Sequence, residues 1–324
     1  MTSTTTSRAF PGHTIIGLDE DLPVEERHEY GTLPRIFNDQ LLKYTDYSVY
    51  PTIDPTAAFI NKTFAGKVVL ITGASRGIGQ ETALHFARAG ASLALVARKQ
   101  ETLDETKATI LKEIPEAHVL TLPVDVKDSD QAAHAVEATV THFGRLDVVI
   151  PNAGATTAMK IPLGGKDPKE WWNTFEVNIL GVFNFVRPSV EHLQKTNGSI
   201  IAVSSAAAQR RLPFASDYVT SKHALGRLVE YISSEYPSLK VFALHPGGIR
   251  TQMADDAGVG KDVQLPDTAQ LPASTMLYLA AGNADWLSGR YVSANWDLGE
   301  VERDWKVKIL ESHALVSKLD IPRA

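Results

Sequence analysis

From Lys67 onward the chain alternates short apolar runs with stretches of helical periodicity, and this alternation limits the fold more than any other feature. K-V-V-L-I-T (67–72) is an almost unbroken β-branched and apolar run, the pattern of a strand buried on both faces. In G-Q-E-T-A-L-H-F-A-R-A-G (79–90), Ala83, Leu84, Ala87 and Ala89 recur at helical spacing until Gly90 stops them. The pattern then repeats: strand 92–98, helix 102–114, strand 118–126, helix 129–144, strand 146–154. A long helix is expected over Glu170 to Leu193, then strand 198–205, helix 216–236, strand 239–247 and a seventh strand within 289–296. Strands and helices of these lengths in alternation make βαβ units, whose right-handed crossovers place helices on both faces of a parallel sheet.

The sequence thus predicts a single α/β domain with a doubly wound parallel sheet, Rossmann-like, over residues 64–300. Residues 1–63 lack a steady period and carry scattered prolines (Pro11, Pro23, Pro34, Pro51, Pro55), so they read as an N-terminal extension with one short helix at 34–44. Residues 301–324 read as a C-terminal helical tail.

Charge and composition narrow the function. A net charge of −6 offers no basic excess for phosphate neutralisation, so nucleic acid is not an expected partner. With no cysteine, disulfides, thiolate nucleophiles and cysteine-ligated zinc are excluded, and a reducing compartment fits. No run reaches the roughly 18 uncharged apolar residues of a membrane span, and the Ser/Thr-rich start has no apolar signal core, so a cytoplasmic chain without membrane attachment is expected. The 10 histidines show no H-x-x-x-H or H-E-x-x-H spacing, and no metal site is expected.

The first strand runs into T-G-A-S-R-G-I-G (72–79), with Gly73, Gly77 and Gly79 at a strand-to-helix turn. Glycines there let backbone approach a pyrophosphate, while the helix N-terminus offers free N–H groups and a positive dipole end. Further on, Tyr218 and Lys222 stand four apart on a predicted helix and therefore share a face. A lysine charge about 4 Å from a phenol, at an effective dielectric of about 20, lowers its pKa by at most about three units, and desolvation opposes that.

The G-x-x-x-G-x-G turn joined to Tyr218-x-x-x-Lys222 resembles the short-chain dehydrogenase/reductase family, over about Gly66 to Trp296. P-N-A-G (151–154) stands where that family has N-N-A-G, V-N-I-L-G supplies Asn178, V-S-S ends at Ser205, and P-G-G-I-R-T (246–251) matches P-G-x-x-x-T. The resemblance implies hydride transfer between NADP(H) and a carbonyl or secondary alcohol, with Tyr218 as general acid/base, Lys222 as its partner and a ligand of the cofactor ribose, and Ser205 holding the substrate oxygen. Ser204 is the better candidate for capping the strand end. Asn178 would hold a water beside Lys222. The cofactor set it implies is Gly73, Ser75, Arg76, Gly77, Ile78, Gly79, Arg98, Asp125, Val126, Asn152, Ala153, Gly154, Ile249 and Thr251, together with Tyr218 and Lys222. NAD-specific members end the second strand with a carboxylate; here Ala97, Arg98 and Lys99 stand there, which favours NADP(H) over NAD(H).

Pro151 in place of asparagine and V-S-A-N-W-D-L-G-E (292–300) in place of V-D-G-G depart from the family pattern. Dehydration or epimerisation at the same site, and a non-catalytic NADP(H)-sensing protein, remain alternatives. The resemblance also implies a homodimer or homotetramer through the long helix (Phe175, Ile179, Val182, Phe183, Val186) and the Tyr218 helix (Leu225, Leu228, Val229, Ile232). For the substrate, 252–272 reads as a lid, and 206–215 offers Leu212 and Phe214 as an apolar wall beside Arg210 and Arg211. Trp171 and Trp172 read by default as packing residues, with one of them rimming the site as the alternative, and His223 as a bystander.

Overall fold

The computed structural model describes residues 49–260, 263 and 265–319. The short helix expected at 34–44 lies outside them, as does most of the extension. Seven strands form one parallel sheet: β1 (Val68–Thr72), β2 (Ser92–Ala97), β3 (Val119–Pro123), β4 (Val148–Ile150), β5 (Ser199–Val203), β6 (Lys240–His245) and β7 (Arg290–Ser293). Their order is β3-β2-β1-β4-β5-β6-β7. Every pair is parallel, with Val69 facing both Leu93 and Val148, and Ile200 facing Val241. The order reverses between β1 and β4, so a crevice opens beyond the carboxyl ends of those two strands, where open α/β sheets bind ligands. The sheet matches the sequence expectation strand for strand.

Burial explains the composition of the strands. All five residues of β1 and of β5 are buried, because helices cover both faces. One face carries α2 (Gly77–Arg88), which follows the short helix α1 (Thr56–Ile60) in the chain, and α9 (Gln270–Ala280), with Phe86 and Met276 in the core. The other carries α4 (Ser129–Phe143), α6 (Gly181–Thr196) and α7 (Ser216–Glu235), with Phe185, Leu193 and Leu225 inside. α3 (Gln100–Glu113) packs on β2 and β3. Local signals set the ends: Asp128 caps α4 by accepting from the Asp130 and Gln131 amides, each at 3.0 Å, and Gly144 at φ 79° terminates it.

Two expectations change. The long helix is three segments: α5 (Pro168–Phe175), a π-helical turn (Glu176–Leu180) and α6. The wide turn puts Asn178 where its carboxamide meets the Ala155 backbone, and such turns concentrate at functional sites. The chain limits also differ from the boundaries read at 63 and 300. Tyr50 and Ile53 are each 2% exposed in the same core as Val301, Ile309 and Leu315, and Thr52 donates to Asp297 at 2.8 Å. The Leu315 carbonyl accepts the Tyr291 amide at 2.9 Å, so the last segment covers the edge of β7.

Candidate active site

The glycine turn sits at the head of the crevice. Gly73 has φ 64°, and a Cβ there would lie 2.9 Å from Ala153 Cα. A Cβ on Gly79 would lie 2.3 Å from the Gly73 carbonyl oxygen, so helix and strand approach too closely for any side chain. No side chain caps α2: Arg76 occupies its N-cap position in extended backbone. The first amides of α2, at Gly77, Ile78 and Gly79, are therefore available to an anion. Ser75 is partly exposed beside them.

β4 is tied to this turn by side chains rather than by the sheet alone. Asn152 donates its carboxamide to the carbonyls of Thr72 (2.9 Å) and Gly73 (3.1 Å), and the amides of Asn152 and Ala153 both donate to the Thr72 hydroxyl. The side chain of Asn152 is thus spent on shaping the turn. Arg98, directly after β2, is exposed, as is Arg76, and neither forms an ion pair among the described residues. Asp125 accepts from the Lys127 amide at the end of β3, and Val126 is buried beneath Gly181. Ile249 bridges to Pro266 and Asp267. Thr251 caps α8 (Gln252–Asp256) by accepting from the Ala254 amide, and its methyl faces Gly77. Gly77 and Thr251 thus approach each other across the turn, and Asn152 and Ala153 close on it from the end of β4.

Tyr218 and Lys222 do share a face of α7, with the ammonium 5.9 Å from the phenol ring centroid. Lys222 is 3% exposed, and its Nζ donates to the Val203 carbonyl at 2.7 Å. Burial lowers its pKa to about 8. Burial also raises the Tyr218 phenol above its ordinary value, and a hydrogen bond with Ser205 offsets part of the rise. Burial is the largest influence on the phenol and works against the lowering expected from Lys222.

Ser205 lies two residues past β5 and caps the following turn, Ala206–Gln209, by accepting from the Ala207 amide at 3.1 Å. That capping role was expected of Ser204, whose hydroxyl instead lies buried 3.5 Å from the Lys222 carbonyl. Since Ser205 accepts from the backbone, its own O–H remains to donate. Asn178 is fully buried; its Oδ1 accepts from the Ala155 amide at 2.8 Å, and its Nδ2 donates to the Ala155 carbonyl and the Ser221 hydroxyl, each at 2.9 Å. A Cβ on Gly154 would meet Asn178 Oδ1, Lys222 Nζ and Met253 Sδ at 3.5–3.7 Å, so all three converge on that glycine. His223 contacts the Ala208 carbonyl at 3.1 Å, which ties the Ser205 turn to α7 and gives the bystander a structural part.

Sequence reading missed three supporting groups. Ser221 links Asn178 to the Tyr218 carbonyl. Asp217, beside Tyr218, is completely buried, and Lys166 is its ion-pair partner at 2.7 Å. Locally, Asp217 is one acidic residue in a polar first turn beside Ser216, where a helix N-terminus ordinarily carries a solvated carboxylate; its partner lies 51 residues away and carries no signal of its own. Among the described residues no group of three or more potential metal ligands occurs, and no helix is long and apolar enough to cross a membrane.

Fold and site together define an NAD(P)-dependent oxidoreductase of the Rossmann-like class. A sequence profile of the short chain dehydrogenases matches residues 67–261. Short chain dehydrogenase citE of Monascus ruber is 39% identical over 284 residues, 85% of this chain and 94% of that one. Carveol dehydrogenase from Mycobacterium avium in complex with NAD superposes with a TM-score of 0.65 at 25% identity, covering 71% of this chain and 96% of its own. An alcohol dehydrogenase from the archaeon Thermococcus sibiricus complexed with 5-hydroxy-NADP gives 0.64 at 28%, covering 70% and 95%. The chain belongs to the short-chain dehydrogenase/reductase family.

Proposed function

We propose that the protein is an NADP(H)-dependent carbonyl reductase or alcohol dehydrogenase acting on a small molecule. The observation that carries this reading is the meeting of Ser205, Tyr218 and Lys222 at the mouth of the crevice headed by the glycine turn. When bound, the nicotinamide supplies or accepts the hydride. The chain's own residues do the rest. Gly77, Ile78 and Gly79 amides receive the diphosphate; Ser205 donates a hydrogen bond to the substrate oxygen, where charge develops; Tyr218 gives that oxygen its proton in reduction and takes it in oxidation. Lys222 favours the phenolate as it forms, since its charge lies on the same face. Asn178 holds Ala155 and Ser221 around Lys222, with its Oδ1 toward Gly154, and is placed to support a proton path there.

Cofactor choice follows from charge. Arg98 and Arg76 stand exposed, with no ion pair among the described residues, at the corner where the adenosine ribose would lie, and the end of β2 has no carboxylate. A 2′-phosphate suits that corner better than a bare hydroxyl, so NADP(H) is preferred to NAD(H).

The same reading includes self-association in a cysteine-free chain suited to the cytoplasm. Val182, Val186, Leu225, Val229 and Ile232, expected at the interface, are in the core. What remains outside is a groove lined by Trp172, Phe175, Ile179, Leu180, Phe183 and Leu228, with Trp172 57% and Phe183 46% exposed. A second copy of α5, α6 and α7 would cover it. The test of function is direct: purified protein with NADPH and a panel of ketones, followed at 340 nm, should consume NADPH, and no turnover across the panel with cofactor bound would reject the reading.

A further inference from the structure

Asp217 is the hub of a buried polar cluster that neither hydride nor proton transfer uses. Its Oδ1 pairs with Lys166 Nζ at 2.7 Å, and its Oδ2 accepts from the Thr157 amide and the Thr174 hydroxyl, each at 3.0 Å. Lys166 Nζ also donates to the Thr157 hydroxyl. The two charged side chains are 0% and 3% exposed. Burial alone would raise Asp217's pKa, but the bonds from Lys166, Thr157 and Thr174 outweigh it and hold the carboxyl below its ordinary value.

The cluster joins four places: the first turn of α7 immediately before Tyr218, α5 through Thr174, and both ends of the strap 157–166 that follows β4. The root of that strap is gripped by Asn178 through both backbone groups of Ala155. Near its start the Met159 amide donates to the Ala257 carbonyl at 2.8 Å, just past α8. A buried ion pair is a weak source of net stability, because taking two charges from water costs about as much as their attraction returns. What a fully bonded buried pair does supply is a fixed geometry.

We infer that Lys166 and Asp217 are positioning residues, which hold the strap 157–166 as one wall of the substrate cleft against Tyr218 and, through Met159, seat the turn at Ala257. The inference rests on the carbonyl-reductase reading for its substrate. It predicts that the pair matters to the carbonyl compound more than to the cofactor, because among the described residues none of the cluster's hydrogen bonds reaches the glycine turn, Arg76 or Arg98.

The test uses the whole chain with K166M, D217N and the double variant K166M/D217N. Each single variant strands one buried charge, whereas the double variant removes both and should fold. Three readouts are taken: NADPH affinity by its fluorescence, steady-state reduction of acetophenone, cyclohexanone and related ketones, and amide hydrogen exchange. In the double variant NADPH affinity should stay within about twofold and kcat within about threefold, while KM for the ketone rises about tenfold or more. Amides of 155–159 should exchange faster, and each single variant should be worse than the double. An unchanged KM in the folded double variant, or a matched loss of kcat and NADPH affinity, would overturn the inference. If the wild type reduces no ketone, the functional reading fails by itself; exchange then decides the strap, and unchanged exchange at 155–159 overturns it.

Discussion

Lys222 Nζ donates to the Val203 carbonyl at 2.7 Å, so the last residue of β5 holds the ammonium in place without a carboxylate. The charge is therefore buried but not neutralised, and its pKa falls from 10.5 to about 8. Between those values the unfolded chain binds more protons than the folded one, so stability at this site rises with pH through that window and the full cost is carried below pH 8. By linkage the cost is at most about 3 kcal/mol, and losing the charge-assisted bond to the Val203 carbonyl takes back about 1.5–3 kcal/mol of it. Lys222→Met should thus abolish turnover yet be at least as stable as wild type in urea at pH 7, with the difference narrowing by pH 9.5. A variant several kcal/mol less stable at pH 7 would contradict this account.

Removing the Tyr218 hydroxyl isolates its proton. Tyr218→Phe keeps the ring over Lys222, so NADPH binding should persist while kcat drops about a hundredfold or more. Turnover within a few-fold of wild type would take Tyr218 out of the mechanism.

The raised phenol pKa gives the pH dependence a direction. With its pKa raised by burial, Tyr218 keeps its proton at neutral pH, ready to be donated, so reduction should be fast there and fall as pH rises. Oxidation needs the phenolate, so its rate should climb with pH over the same range. Rate profiles in both directions decide the matter, and parallel profiles would argue against Tyr218 as the shared group.

Arg98 carries the cofactor preference. Arg98→Ala should weaken NADPH by about 10- to 150-fold, the worth of one charge-assisted pair, and leave NADH little changed. Equal losses for both cofactors in a binding titration would point to a structural part instead.

Phe183, 46% exposed on α6, tests assembly. Light scattering at micromolar concentration should give a mass of at least twice 35.3 kDa for the wild type, with Phe183→Asp shifted toward one chain. A fully active wild type at the mass of one chain would end the proposal.

The sequence by itself determined the sheet, the glycine turn and the pairing of Tyr218 with Lys222, because each rests on short-range rules. Strand burial shows as continuous apolar runs such as 67–72, turn geometry demands glycine at Gly73 and Gly79, and a spacing of four puts two side chains on one helix face. Only the tertiary structure decided what surrounds them. Asn178 and Ala155 are 23 residues apart, Lys166 and Asp217 51, and Lys222 meets Val203 across 19, distances that periodicity cannot bridge. It likewise decided that Val182 and Leu225 face the core while Phe183 faces outward, and that Ser205 rather than Ser204 caps its turn. The protonation of Tyr218 belongs to the same class. Charge spacing along a helix suggests a lowered pKa, but burial is a property of the whole packed domain, and here desolvation is the larger effect.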